Sequence, residues 1–232
     1  MELGRATWKE VADTDRRGLL AIPIGSLEQH GPHLPLDTDT RIAVALVGEL
    51  ARLQPHVVAA PAVPYGASGE HAAFPGTLLV HHQLLADLVV ELVRSARDAF
   101  AGVVLVSAHG GNREGLALAQ ERCRADGDDD VVFWHVRAEG ADAHAGRTET
   151  SLMLWIDAAS VRMDLAEAGC TTPIDQLLPR LRSEGVRPIS SNGVLGDPVG
   201  ATAEEGRALL ASMTADLVAA VTARWPLAAV RS

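Results

Sequence analysis

Residues 102–125 read GVVLVSAHGGNREGLALAQERCRA. Three kinds of local chemistry follow one another in that stretch. Residues 102–107 are a short aliphatic run rich in Val and bounded by Gly and Ser, as expected of a strand buried on both faces. His109 then stands before two glycines, and residues 113–125 form a helix-length segment. A strand passing through a glycine turn into a helix is one step of a β-α alternation, and the same alternation extends in both directions. Further strands are expected at 18–24, 57–60 and 131–136, and helices at 40–52, 81–99, 148–158 and 203–221. Within 81–99, Leu84, Leu85, Leu88, Val89 and Leu92 recur on one helical face. The expected fold is α/β: a single domain over residues 1–232, with a mainly parallel sheet flanked by helices on both faces. Functional side chains of such sheets gather in loops beyond the carboxyl ends of the strands. That directs attention to the residues after 24 and after 107.

Composition narrows the function. Apolar residues make up 47% and charged residues 22%, a balance sufficient for a buried core. The formal charge is −10, and no basic stripe with interleaved aromatics occurs, so nucleic acid is not an expected partner. Residues 1–7 lack the basic-then-apolar pattern of a leader, and no apolar stretch of membrane-spanning length is evident; a cytoplasmic, non-membrane protein is expected. Cys123 and Cys170 stand far apart outside any C-x-x-C pattern and read as reduced thiols.

The loop after the first strand, GSLEQHGPHLPLDTD at 25–39, crowds Glu28, His30, His33, Asp37 and Asp39 into fifteen residues. Pro32 and Pro35 stiffen it, and imidazole and carboxylate donors held rigidly suit a divalent metal. After the third strand comes SAHGGNRE at 107–114. There Gly110 and Gly111 leave room beside His109 and offer amides to an oxyanion, or simply serve a strand-to-helix turn. Asn112 either hydrogen-bonds substrate or fixes that turn. GEHAAFPGT at 69–77 contributes Glu70 and His71, and DAHAGRTETS at 142–151 contributes His144 and Glu149. His144, placed at the tip of a glycine-containing loop, is a general acid/base candidate. Glu149, in the first turn of the expected helix, is either a ligand or a capping carboxylate. His81 and His82 sit at a helix start, and His56 and His135 read as structural. Ser26 and Ser107 lack the partners of a nucleophilic triad.

These segments, in this order, resemble the creatininase family over roughly residues 18–206, ending in the Gly-Asp-Pro block SSNGVLGDPVGATAEEG at 190–206. The resemblance implies a hydrolase of amides with two divalent metal ions per subunit (Zn, Fe(II) or Mn(II)). Glu28 and His109 would bind one metal, His30 the other, and Asp39 would bridge them. Creatinine amidohydrolases carry a ligand glutamate two places after the histidine of the His109 motif. This chain has Gly111 there, and Glu149 is the nearest motif carboxylate to take its place. His144 matches the catalytic histidine; His33, Glu70, His71, Gly110, Gly111 and Asn112 are expected around the substrate. The Gly-Gly-Asn variant is closest to a branch that releases a C-terminal Val-Tyr dipeptide from a modified, ribosomally made precursor peptide. Creatinine or a formyl amide is the alternative substrate, and a metal-binding protein without catalysis the alternative class. Creatinine is disfavoured because the family's small-ring amidases place tryptophans just before the catalytic histidine. Here the nearest, Trp134, lies ten residues earlier. A homo-oligomer is expected, hexameric by the resemblance.

Overall fold

A short helix, α1 (Trp8–Ala12), precedes the central strand β1 (Leu19–Ile24) in the computed structural model, which describes residues 1–13, 18–138 and 140–226. Strands β1, β2 (Val57–Ala59), β3 (Gly102–Ser107) and β4 (Val131–His135) form a four-stranded sheet ordered β2-β1-β3-β4. Every pairing is parallel, with Leu19 opposite both Val57 and Gly102, and Ser107 opposite His135. Parallel neighbours need long crossovers. These are supplied by α2 (Thr38–Leu53), α3 (His82–Ala96) and α4 (Arg113–Ala125), and α5 (Arg147–Asp157), α6 (Ile174–Glu184) and α7 (Ala203–Arg224) follow the sheet.

Successive strand residues point to opposite faces, so each strand feeds two cores. Leu19, Ala21, Val104 and Val106 pack with Leu46, Leu50, Met153 and Leu217 from α2, α5 and α7. Leu20, Ile22, Ile24, Val103 and Leu105 pack with Leu85, Val89 and Leu116 from α3 and α4. Full burial of each such side chain stabilises the fold by about 1.5–3 kcal/mol.

Pro23 lies inside a central strand, where its missing N–H would ordinarily cost a ladder bond. The odd-numbered residues of β1 turn their backbone groups toward β2: Leu19 N donates to His56 O at 2.9 Å, and Ala21 O accepts from Ala60 N at 2.8 Å. β2 ends at Ala59, so Pro23 lies beyond the β1–β2 ladder, and its carbonyl accepts from Val63 N at 2.9 Å.

The expected architecture is present, with three differences. Helix α3 stops at Ala96, short of residue 99, and α1 and α6 were not anticipated. Helix α7 has 22 residues and contains an 18-residue window with a mean hydropathy of 1.2; by length and composition alone it could cross a membrane, which corrects the expectation that no stretch reaches that length. Its alanines and valines raise hydropathy around the whole circumference, while Gly206, Leu210, Met213, Leu217 and Val221 form the buried stripe.

From β1 the chain steps outward to β2, and from β3 it steps the other way to β4. The order therefore reverses between β1 and β3, and the crevice beyond their carboxyl ends is where open α/β sheets hold ligands. The two histidine-bearing loops emerge at that point.

Candidate active site and metal centre

Five pieces of chain converge on the crevice. The loop after β1 brings Glu28 and His30, and the first turn of α2 brings Asp39. The turn after β3 brings His109, a 3-10 turn (Gly69–His71) brings Glu70 and His71, and the segment entering α5 brings His144 and Glu149. All are buried except the partly exposed Glu70 and Glu149. Asp39 stands between two histidines, with Oδ1 3.4 Å from His30 Nε2 and Oδ2 3.1 Å from His109 Nδ1. Glu28 Oε2 is 3.2 Å from His109 Nε2, and Glu28 Oε1 lies 3.3 Å from His71 Nε2 and 3.7 Å from His144 Nδ1. Glu149 Oε2 is 3.9 Å from His30 Nε2.

Two observations test whether these residues suit a cation. Three ligand groups, Glu28/Asp39/His109, Glu28/His71/His144 and His30/His144/Glu149, each place their donor atoms within 4.8 Å of one another. Both carboxylate oxygens of Glu28 are buried without a hydrogen-bond partner. Orphaned acceptors are costly in a protein interior, so the donor set fits divalent metal. The electrostatics agree. Burial pushes Glu28 and Glu149 up to about 7. Burial also opposes charge on Asp39, but His30 and His109 overcome it and hold that carboxyl well below the usual range. Against the same burial, the carboxylates drive His30 and His109 up to about 10. The negative charge gathered here thus favours positive charge on its neighbours, a role that a bound cation would fill.

Several expectations need correction. Asn112 is fully buried; its Oδ1 accepts from Ala67 N at 2.8 Å and its Nδ2 donates to Gly25 O at 2.9 Å, which favours the second of its two expected roles, fixing the turn. His33 is buried with Nε2 2.8 Å from Thr150 Oγ1, which joins the β1 loop to α5, and its Nδ1 has no hydrogen-bond partner. His144 is no loop tip: it is buried and its backbone bridges Leu195, within the block at 190–206. His81 holds the N-cap position of α3 without a side-chain capping bond. Ser26 is a support, donating to Asp39 Oδ2 at 2.7 Å. Sequence reasoning overlooked Gln29, whose side chain reaches both His71 and His144.

Gly111 has a steric reason. A methyl group there would lie 2.3 Å from Ala67 O, 2.4 Å from His109 Nε2 and 2.8 Å from Glu70 Oε1. The ligand glutamate that the resemblance would lead one to expect at this position therefore has no room. At Gly110 an added carbon meets nothing within 4 Å, leaving space beside the centre.

The entry to α5 is built around Asp142 and Ala145. Asp142 accepts from Arg147 N, and through Oδ1 from Thr148 N at 3.1 Å, capping the helix that carries Glu149. Ala145, buried, has φ 52°, the sole positive value on a non-glycine among the described residues, and its N–H donates to Glu149 Oε2 at 2.6 Å. Glu149 thus closes the helix entry with the same oxygen that faces His30. Asp142→Ala should cost about 1–2 kcal/mol through the lost cap, lowering Tm by about 2–8 °C. An unchanged melting curve would show that the cap carries no weight.

The family described as creatinine amidohydrolase matches residues 4–221. The chain belongs to the creatininase family. A mycofactocin precursor peptide peptidase of Mycobacterium ulcerans (strain Agy99) is 46% identical over 233 residues, covering 97% of this chain and 91% of that protein. Its counterpart in Mycolicibacterium smegmatis (strain ATCC 700084 / mc(2)155) is 47% identical over 200 residues, covering 84% and 81%. A solved creatininase structure with Mn in its description superposes with a TM-score of 0.77 at 27% identity, covering 97% of this chain and 98% of that one. Creatininases of known structure thus share this fold, and among them Mn and Zn forms are described.

Proposed function

We propose that this creatininase-family chain is a dinuclear metal-dependent peptidase that releases a C-terminal Val-Tyr dipeptide from a modified precursor peptide; that its mycobacterial relatives are named precursor peptide peptidases supports the peptide substrate. The observation carrying the metal part is the buried Glu28 carboxylate with neither oxygen hydrogen-bonded, surrounded by Asp39, His109, His71 and His144. Glu28, Asp39 and His109 would hold one ion, and His30, Asp39 and Glu149 the other. Zn, Mn(II) and Fe(II) all accept such mixed nitrogen and oxygen ligands. Bound there, divalent ions supply Lewis acidity that activates water and polarises the scissile carbonyl.

The chain's own groups do the rest. His144 Nδ1 lies 3.7 Å from Glu28 Oε1, inside the ligand cluster, placed to take a proton from attacking water and return it to the leaving nitrogen. The space at Gly110 admits the substrate backbone, and the Gly110 and Gly111 amides lie beside it. Glu70 and His71 line the same side. The serines weighed as nucleophiles are engaged elsewhere: Ser26 donates to Asp39 and Ser107 to the His109 carbonyl, while Cys123 lies in the core.

Creatinine, the alternative substrate, is disfavoured by the surroundings of His144. Its neighbours are His30, His71, Gln29 and Leu195, and Trp134 is packed in the core with Nε1 donating to Asp216 Oδ2 at 2.8 Å. A homo-oligomer in the cytoplasm completes the proposal. Exposed Tyr65, Leu84 and Leu88 along one apolar groove support the first part, and the unpaired thiols Cys123 and Cys170 the second.

Incubation of metal-loaded protein with the modified precursor should release the dipeptide, detected by mass spectrometry. The release should stop on chelation and return with added Zn or Mn(II). Turnover of creatinine with the peptide left intact would overturn the substrate assignment. Chelation should also lower Tm by about 5–10 °C, the shift for a ligand present at about a hundred times its Kd. Glu149→Gln should reduce metal content, and unchanged content would remove Glu149 from the ligand set.

A further inference from the structure

Gln29 is buried between the two histidines that sequence reasoning left without a defined relation. Its amide orientation is fixed by backbone groups of known polarity. Gly31 N–H donates to Oε1 at 2.9 Å, and Nε2 donates to Gly193 O at 3.0 Å. The remaining Nε2 hydrogen has two rings within reach, His71 Nδ1 at 2.8 Å and His144 Nε2 at 3.1 Å. The His144 nitrogen is itself a donor to the Gln29 main chain, so the hydrogen goes to His71. That hydrogen bond requires a lone pair on Nδ1, and a neutral imidazole then carries its proton on Nε2. On the other side His144 Nε2 lies 2.8 Å from the main-chain carbonyl oxygen of Gln29, which can only accept. His144 therefore carries its proton on Nε2 and its lone pair on Nδ1. The nitrogens presented to the centre are thus His71 Nε2, with a hydrogen, and His144 Nδ1, with a lone pair. Glu28 is 3.3 Å from the former and 3.7 Å from the latter, and its oxygens accept no hydrogen bond from either.

We propose that Gln29 holds His71 and His144 in opposite tautomers, making His71 a hydrogen-bond donor to the substrate's carbonyl oxygen and not a metal ligand, and His144 the proton acceptor. This rests on the reading of the site as an amide-hydrolase centre and assigns separate tasks within it. Although His71 lies in a ligand-like group with Glu28 and His144, its inward nitrogen has no lone pair to give a cation. A donor directed at the carbonyl oxygen strengthens as negative charge builds there during attack. Water's proton passes to His144 Nδ1 as its oxygen bonds to the carbonyl carbon. The same proton passes to the leaving nitrogen as the C–N bond breaks. Gln29 is a positioning residue throughout, acting only through the two rings.

The test is long-range proton–nitrogen NMR on zinc-loaded protein labelled with ¹⁵N-histidine, with signals assigned through His71→Gln and His144→Gln. The expected spectrum shows His71 as a neutral ring protonated at Nε2, with its Nδ1 accepting a hydrogen bond. His71→Ala should retain the parent's zinc content. A carboxylate at position 29 can only accept, so Gln29→Glu should move the His71 proton to Nδ1. It should also lower kcat on the precursor peptide by about 10–100-fold with little change in KM. A zinc-bound Nε2 on wild-type His71, or loss of zinc in His71→Ala, would overturn the proposal. The spectra and zinc contents require no turnover, so they decide the tautomers even where the peptide proves not to be the substrate.

Discussion

Glu28→Gln should cut amide hydrolysis by on the order of 10³-fold while leaving the metal-free protein at least as stable as the parent. The carboxylate is fully buried, neither oxygen has a hydrogen-bond partner, and burial pushes its pKa up to about 7. Such a group opposes folding: an unsatisfied buried polar atom costs about 1–3 kcal/mol. Glutamine has the same shape without the charge. His109 is not stranded by the change, because Asp39 remains 3.1 Å away. The metal-free variant should therefore gain up to about 1 kcal/mol, or about 2–4 °C in Tm. Activity should move the other way. Losing a ligand removes several kcal/mol of transition-state stabilisation, a fall on the order of 10³-fold in kcat/KM. Metal content measured beside turnover checks both halves, and a variant retaining full metal and rate would refute the assignment of Glu28.

A second large effect is expected from a contact between two helix backbones. Gly206 of α7 faces α5 so closely that a methyl group would lie 1.8 Å from Ser151 O and 2.4 Å from its carbonyl carbon. Both are backbone atoms, which cannot swing aside, so Gly206→Ala must push the helices apart. Overpacking of this kind costs about 1–3 kcal/mol, occasionally more. For a chain of this size Tm should then fall by about 3–10 °C. Helix α5 carries Glu149, and Thr150 meets His33, so the displacement should reach the site. A shift near 1 Å in a catalytic group costs about 10²-fold in rate. Gly48→Ala is the internal control: an added carbon there meets nothing within 4 Å in an exposed position of α2. Exchanging glycine for alanine in a helix should raise stability by about 0.5–1 kcal/mol. Equal melting temperatures for the two variants would discard the packing explanation.

The sheet and the position of the crevice were legible because β1 and β3 are uninterrupted aliphatic runs followed by conspicuous histidine loops. Residues 102–107 and 113–125 have the same bounds in sequence and structure. Helix α6 escaped notice because Pro179 interrupts it and only Leu177 and Leu181 are buried. Helix α1 did carry a signal, the Thr7/Glu10 capping box, but its five residues lack a buried face. Within the site, residue types were readable and their partners were not. His33 ends against Thr150, 117 positions away, and Gln29 spends its amide on groups 42 and 164 positions away. No local pattern marks such a bond. Asn112 looked like a substrate contact because its motif is rich in chemistry, yet its amide is wholly used in joining two loops.

Ala145 sets the order in which this protein should fail. A non-glycine residue in the left-handed region costs about 1–2 kcal/mol, and it is held there by the packing of its methyl group and by the bond from its N–H to Glu149. When heat loosens those contacts, the backbone falls back to an ordinary conformation and turns His144 away, while the sheet behind it remains intact. Local opening of this kind requires less free energy than global unfolding. Catalysis should therefore be lost several degrees below the temperature at which the fold melts, and should return on cooling.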